Sequence, residues 1–215
     1  MLAIQKLPLA AAGVVVATLS EASFRMVGPI YKTQVGLEIG QIAYFLAAFV
    51  LGGALAQVLV GWLADKFDCR KVMIWLSVAA MVSCLVTILM GGNSTTCIFL
   101  TALFFGLKNF PIFSVATAHA HDFAEPNERV KLSAALIFFY ALGAIAATLL
   151  ASPLIDNFGP PALCIMIALA HLALIAFGLT RIRKRPTWPD RTSYVYAPRT
   201  SFVIGRLLKR KRDKR

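Results

Sequence analysis

The sequence predicts an all-α membrane protein of six transmembrane helices, and three observations carry that expectation. Of 215 residues, 59% are hydrophobic and 15% charged, more apolar surface than a soluble domain can hide. Six stretches reach the ~20 mostly apolar residues that a helix needs to cross a bilayer. They run over 7–27, 39–63, 72–90, 96–118, 132–152 and 161–180. Charged residues crowd into short connections: five of the seven residues from 65 to 71 are charged, with an apolar run on either side.

Each stretch is expected to be helical, because irregular backbone facing lipid leaves polar groups unsatisfied. The first carries Glu21 and Arg25, four residues apart on one helical face, where they can neutralise each other. At ~1.5 Å per residue they fall in the outer third of the membrane. The second stretch holds Gln57, a candidate for an interhelical hydrogen bond, and ends in the hinge Gly61-Trp-Leu-Ala-Asp-Lys-Phe-Asp-Cys-Arg-Lys71. The fourth has Lys108 and Asn109 near its middle, with Pro111 just after to free a backbone carbonyl and bend the helix. Ionisable groups inside hydrocarbon are costly, so Glu21, Arg25, Lys108 and Asn109 are the candidate contacts for a solute or a proton. His119, His121 and Asp122 close the fourth stretch. Two histidines two residues apart do not share a helical face, so no metal is expected there. His171, in the sixth stretch, is expected to be a hydrogen-bonded packing residue.

The net charge of +12 is unevenly placed. Residues 1–180 carry nine Lys/Arg and eight Asp/Glu, whereas residues 181–215 carry thirteen and two. Two regions follow: a membrane domain over 1–180 and a basic tail over 181–215, expected to be disordered and to attract anionic lipid headgroups. Nucleic-acid binding is not expected, because the tail's aromatics form no base-stacking module. Lys6, the hinge bases, Arg129, Lys131 and the tail all fall on one side if six helices alternate, while the opposite loops contain only Lys32. This positive-inside pattern puts both termini in the cytoplasm. Residues 1–20 do not read as a cleavable signal. Cys69, Cys84, Cys97 and Cys164 have no paired spacing and read as small apolar filler, neither disulfide nor metal ligands.

An internal echo organises the six stretches. Shifted by 91 residues, 45–68 falls on 136–159 without gaps. Among the 24 positions, identical pairs include Leu51/Leu142, Gly52/Gly143, Ala56/Ala147, Leu63/Leu154, Asp65/Asp156 and Phe67/Phe158. The copies end the second and fifth helices, on opposite sides of the membrane. Three helices are therefore repeated, inverted, by the next three.

The string Gly61-x-Leu-Ala-Asp65-Lys66-x-x-x-Arg70-Lys71 resembles the cytoplasmic signature of the major facilitator superfamily, Gly-x-Leu-Ala-Asp-Arg-x-Gly-Arg-Lys/Arg. Asp68 departs from it where a glycine is common, and Cys69 where a base is usual. Phe24-Arg-Met-Val-Gly-Pro-Ile-Tyr31, Phe49-Val-Leu-Gly-Gly-Ala-Leu-Ala-Gln57 and Ala118-His-Ala-His-Asp122 are similar to the C-terminal half of the bacterial YcaD-type branch. So are Gly178-Leu-Thr-Arg-Ile-Arg-Lys-Arg185 and Tyr196-Ala-Pro-Arg-Thr200. The resemblance implies half of a twelve-helix secondary transporter of the bacterial inner membrane. It implies a small solute and protons as possible cargo, and a second six-helix half or self-association as partner. It makes Gly61, Asp65, Lys66, Arg70 and Lys71 a conformational latch, with Asp65 pairing with Arg70, Lys71 or a helix end of the opposite half. It also puts the first and fourth helices along a central cavity, and it makes His119, His121 and Asp122 a structural or gating loop, one able to sense pH. The alternative is a non-transporting remnant that inserts but lacks its other half. No cofactor is expected. An enzyme is not expected either, since neither a Gly-x-Ser-x-Gly elbow nor a His-Glu-x-x-His pattern occurs.

Overall fold

A computed structural model of the chain describes residues 8–90, 94–124 and 127–184. They form six helices: α1 (Pro8–Val35), α2 (Ile39–Lys66), α3 (Cys69–Met90), α4 (Thr95–Asp122), α5 (Arg129–Phe158) and α6 (Pro161–Lys184). All six are long and apolar enough to cross a membrane. The basic tail beyond residue 184 lies outside the described residues.

Local chemistry sets the helix ends. Ser94 caps α4, its hydroxyl accepting from the Cys97 backbone N–H at 3.3 Å. Before α2, the Glu38 N–H donates to the Gln41 side chain at 3.0 Å. α5 stops at Gly159, whose φ of 74° is left-handed backbone that glycine adopts without strain. The largest difference from the expected spans is at the end of α1. The segment 28–38, left as a loop between the first two expected spans, is helical as far as Val35, with Pro29 inside α1. Neighbouring turns can accommodate a proline that a soluble helix would not tolerate. The connection shrinks to 36–38.

The packing follows the inverted repeat. α2 makes its most extensive contact with α4, and its repeat mate α5 makes its most extensive contact with α1. α1 lies against α4, and α3 lies against α6. Each three-helix unit thus lends its second helix to the first helix of the other. The residues repeated in sequence share their environments too. Gly52 and Gly143 are buried, as are Ala56 and Ala147, while Leu51 and Leu142 face outward, as do Phe67 and Phe158.

Glycine makes these crossings possible. A Cβ on Gly52 would collide with the Leu103 carbonyl oxygen, and one on Gly106 with the Phe49 carbonyl oxygen. At the mirrored crossing, a Cβ on Gly143 would strike the Val15 carbonyl oxygen. Backbones meet backbones at both places, which gives dispersion contact where the hydrophobic effect between helices is absent. Below the α2–α4 crossing, Phe24 stacks on Phe105 at 4.3 Å, on Phe49 at 4.8 Å and on Phe45 at 5.1 Å, tying in α1. Outward faces stay apolar: Val58 is 78% and Leu149 70% exposed, which suits lipid and would be unfavourable in water.

We expect Gly106→Val to force α2 and α4 apart and cost at least ~1–3 kcal/mol. In detergent, the variant should lose its monodisperse elution peak. Gly61→Ala has nothing within 4 Å of the added methyl and should elute and melt like the parent.

Candidate functional site

The polar residues of α1 and α4 sort into two clusters on different sides of those helices. Helix geometry turns successive residues by ~100°, so neighbours in sequence face different partners. Glu21 accepts from Arg25 Nη2 at 2.6 Å, as the four-residue spacing requires. Arg25 is 56% exposed and Glu21 13%. The second carboxylate oxygen of Glu21 is 3.5 Å from the Tyr140 hydroxyl of α5, and the Phe113 ring of α4 meets Tyr140 edge-on at 5.6 Å. This first cluster joins α1, α4 and α5. Nothing local in the sequence points to Tyr140, which follows Glu21 by 119 residues.

Ser20, one residue earlier, turns the other way. Its buried hydroxyl lies 3.0 Å from His171 Nε2 on α6, a bond of the packing kind expected for that histidine. Lys108 belongs with this second group: its charge is felt by His171 and by Cys84 of α3. Asn109 turns toward α1, donating to the Ala17 carbonyl at 3.3 Å, and leaves its own oxygen buried with no partner. Glu21 and Arg25 are therefore together, Asn109 bridges α4 to α1, and Lys108 acts electrostatically on groups of α3 and α6. Gln57 is exposed on α2 and makes no hydrogen bond among the described residues.

At the hinge, Asp68 does two jobs. Its carboxylate caps α3, accepting from the Arg70 N–H at 2.9 Å. It also takes the Arg70 guanidinium in a fork, with Nε at 3.1 and 3.0 Å from its two oxygens and Nη2 at 2.7 Å. Arg70 is buried and Asp68 partly buried. Arg70 thus engages the residue that departs from the facilitator signature. The Asp65 side chain lies outside the described residues, so its expected pairing is not observed. Burial pushes the Asp68 carboxyl up, but hydrogen bonds from Arg70, its charge and that of His119 outweigh this and hold it below the ordinary 3.8. Lys66 sits 3.8 Å over the Trp62 ring, and Lys71 and Gly61 are exposed.

The last turn of α4 meets this hinge. His119 is buried, packs edge-on against Phe123 at 5.3 Å and acts electrostatically on Asp68. Asp122 accepts from the Cys69 thiol at 3.9 Å. His121 looks the other way, toward the Ser133 hydroxyl of α5 at 3.4 Å. The three residues thus divide between two neighbours. Among the described residues, no group of three His, Cys, Asp or Glu could hold a metal ion.

The family model of the Major Facilitator Superfamily matches residues 10–212. The chain belongs to the major facilitator superfamily. It is 28% identical over 186 residues to the uncharacterized MFS-type transporter YcaD of Salmonella typhi, an alignment covering 86% of this chain and 47% of that protein. The corresponding protein of Shigella flexneri serotype 5b is 26% identical over 168 residues, covering 78% of this chain and 43% of its own length. The chain therefore spans about half the length of the curated relatives it matches. A solved structure, the POT family transporter PepTSo, superposes with a TM-score of 0.71 at 20% identity over 86% of this chain and 39% of that one. The likeness is one of fold. This facilitator chain is an integral membrane protein, and its hinge connects the second and third helices.

The Asp68 carboxyl is held low in the folded state, so its pairing stabilises the fold above the unfolded-state value and that stabilisation fades as pH falls through the lower folded one. We expect the parent to lose thermal stability relative to Asp68→Asn as pH drops below about 4. At neutral pH, Asp68→Ala should cost ~1 kcal/mol or more through the lost cap alone. Melting curves across pH check both.

Proposed function

We propose that the chain is a six-helix half of a secondary active transporter, moving a small solute by alternating access against a second six-helix unit. The observation that carries this reading is the Glu21–Arg25 pair. A salt bridge with one partner half exposed, set in a membrane-spanning helix beside Tyr140, is costly unless it faces a wet pathway. Family membership and the inverted three-plus-three fold support it.

Glu21 and Arg25 are the first contacts for solute or proton, and Lys108 and Asn109 act from the neighbouring helix α4. Gly61, Asp65, Lys66, Arg70 and Lys71 form the cytoplasmic latch. His119, His121 and Asp122 form the gate against which the latch closes, a reading supported by the Cys69–Asp122 contact and the action of His119 on Asp68. The charge pattern supports insertion in the bacterial inner membrane with both termini cytoplasmic and the basic tail on anionic headgroups. A second reading is a remnant that inserts but does not transport.

Reconstitution in liposomes, with and without a co-expressed six-helix partner, separates the two. Transport predicts solute or proton flux when the partner is present, and absence of flux with every partner leaves the remnant reading. In the transporting pair, Glu21→Gln should lower flux about tenfold or more, since a hydrogen bond to a charged group is worth ~1.5–3 kcal/mol. Leu89→Ala, on the outward face of α3, should leave flux unchanged.

A further inference from the structure

The charges inside the spans do not balance. Outside the first and last turns of the six helices there are three charged side chains: Glu21 and Arg25, which pair with each other, and Lys108. No carboxylate pairs with Lys108 among the described residues. Lys108 falls on the α4 stripe of Thr101, Phe105, Ile112, Val115 and His119, and all five of these are buried. Its stem is therefore rooted in the interior, while the side chain itself stays partly exposed.

A polar layer surrounds this lysine. Two apolar clusters fill the bundle, one holding Ala17, Leu76, Ile112 and Leu174, the other Phe24, Cys84, Phe105 and Ile167. Between them, on each of four helices, stand polar side chains: Ser20 and Ser23 on α1, Ser77 on α3, Lys108 and Asn109 on α4, and His171 on α6. Two bonds tie the layer together, Asn109 to the Ala17 carbonyl at 3.3 Å and Ser20 to His171 Nε2 at 3.0 Å. Four of its atoms, Ser23 Oγ, Ser77 Oγ, Asn109 Oδ1 and His171 Nδ1, are buried without a hydrogen-bond partner, and His171 is 0% exposed. Buried polar atoms are rarely left this way. Three of the four can donate. Each hydroxyl carries a hydrogen. The Ser20 hydroxyl reaches both the Val16 carbonyl, at 2.8 Å, and His171 Nε2, so turning its one hydrogen to Nε2 leaves Nδ1 as the N–H of the neutral ring. Only Asn109 Oδ1 is confined to accepting. The unmet polarity is mostly donor and the unmet charge is positive.

We propose that this layer is an anion site, in which a small monoanion pairs with Lys108 and takes hydrogens from the hydroxyls and the imidazole of α1, α3 and α6. The anion is an inorganic ion or the carboxylate of a small organic acid. Either cancels a charge that is costly in hydrocarbon when it stands alone. The Glu21–Arg25 pair, already neutral, needs no such partner. The proposal rests on the reading of Lys108 as a solute contact and names the charge of that solute.

The test reads binding without flux. The purified full chain is labelled with limiting acetic anhydride, a small neutral acylating reagent, and each lysine is quantified by peptide mass spectrometry. Labelling is compared, at matched pH and ionic strength, in gluconate as the bulky reference, in chloride or nitrate, and in formate or lactate, each titrated upward. At ten times its dissociation constant an anion leaves roughly one site in eleven empty. Lys108 should then label about tenfold more slowly than in gluconate, while the exposed Lys66 and Lys71 label as before. Protection by chloride or nitrate makes the ligand inorganic, and protection by formate or lactate makes it an organic carboxylate. Equal labelling of Lys108 in every salt overturns the proposal, as does protection that Lys66 and Lys71 share. The parent chain alone thus decides it. The protecting anion should also raise the melting temperature of the parent and not that of Lys108→Gln, and an equal rise in both overturns the site. A chain that binds the anion but moves no solute keeps the site and loses the transport reading.

Discussion

The fold depends on the direct approach of backbone to backbone where α2 crosses α4. Between apolar helices in lipid there is no hydrophobic force to draw them together, so contact area must do the work. Gly52 and Gly106 provide it by removing the side chains that would hold Leu103 and Phe49 at a distance. With the crossing closed, Phe24 finds its place between Phe45, Phe49 and Phe105, and α1 is fixed in turn. Gly143 repeats the arrangement between α5 and α1. The same small-residue device, used twice in opposite directions, builds a six-helix unit from two three-helix halves, neither of which is closed without the other.

That scaffold decides what each polar group can reach. Ser20 and Glu21 are neighbours on α1, yet one bonds to His171 on α6 and the other meets Tyr140 on α5. Lys108 and Asn109 are neighbours on α4, and they part in the same way. The helices α1 and α4 thus act as a partition. On one side lies a charged pair, partly exposed and backed by an aromatic hydroxyl. On the other lies a buried imidazole bonded to a serine, with a lysine acting on it electrostatically.

Features with short-range causes were legible in the sequence. Lipid demands length, so the helices could be read from hydropathy alone, and the i, i+4 spacing of Glu21 and Arg25 was enough to pair them. The inverted repeat was legible because Gly52 and Gly143 occupy equivalent crossings and could not drift. What sequence reasoning missed depends on tertiary placement. Tyr140 reaches Glu21 only because α5 packs on α1, and Ser20 meets His171 only because α6 packs on α1. Lys108 and Asn109 were read together because they are adjacent, and the helical twist gives them different neighbours. Asp68 was readable in principle: an Asp two residues before an Arg, at the threshold of an apolar helix, is a capping signal. Measured against the family signature, it looked like a substitution.

The local character of the Asp68–Arg70 fork bears on how the chain is made. Its partners are two residues apart, so it closes at almost no cost in loop entropy. The fork requires no distant helix, and it can form while α3 is still leaving the ribosome. A start to α3 defined this early hands the insertion machinery a preformed corner with its arginine already neutralised. Lys66 and Lys71, both exposed, then remain to hold the corner on its side of the bilayer during synthesis.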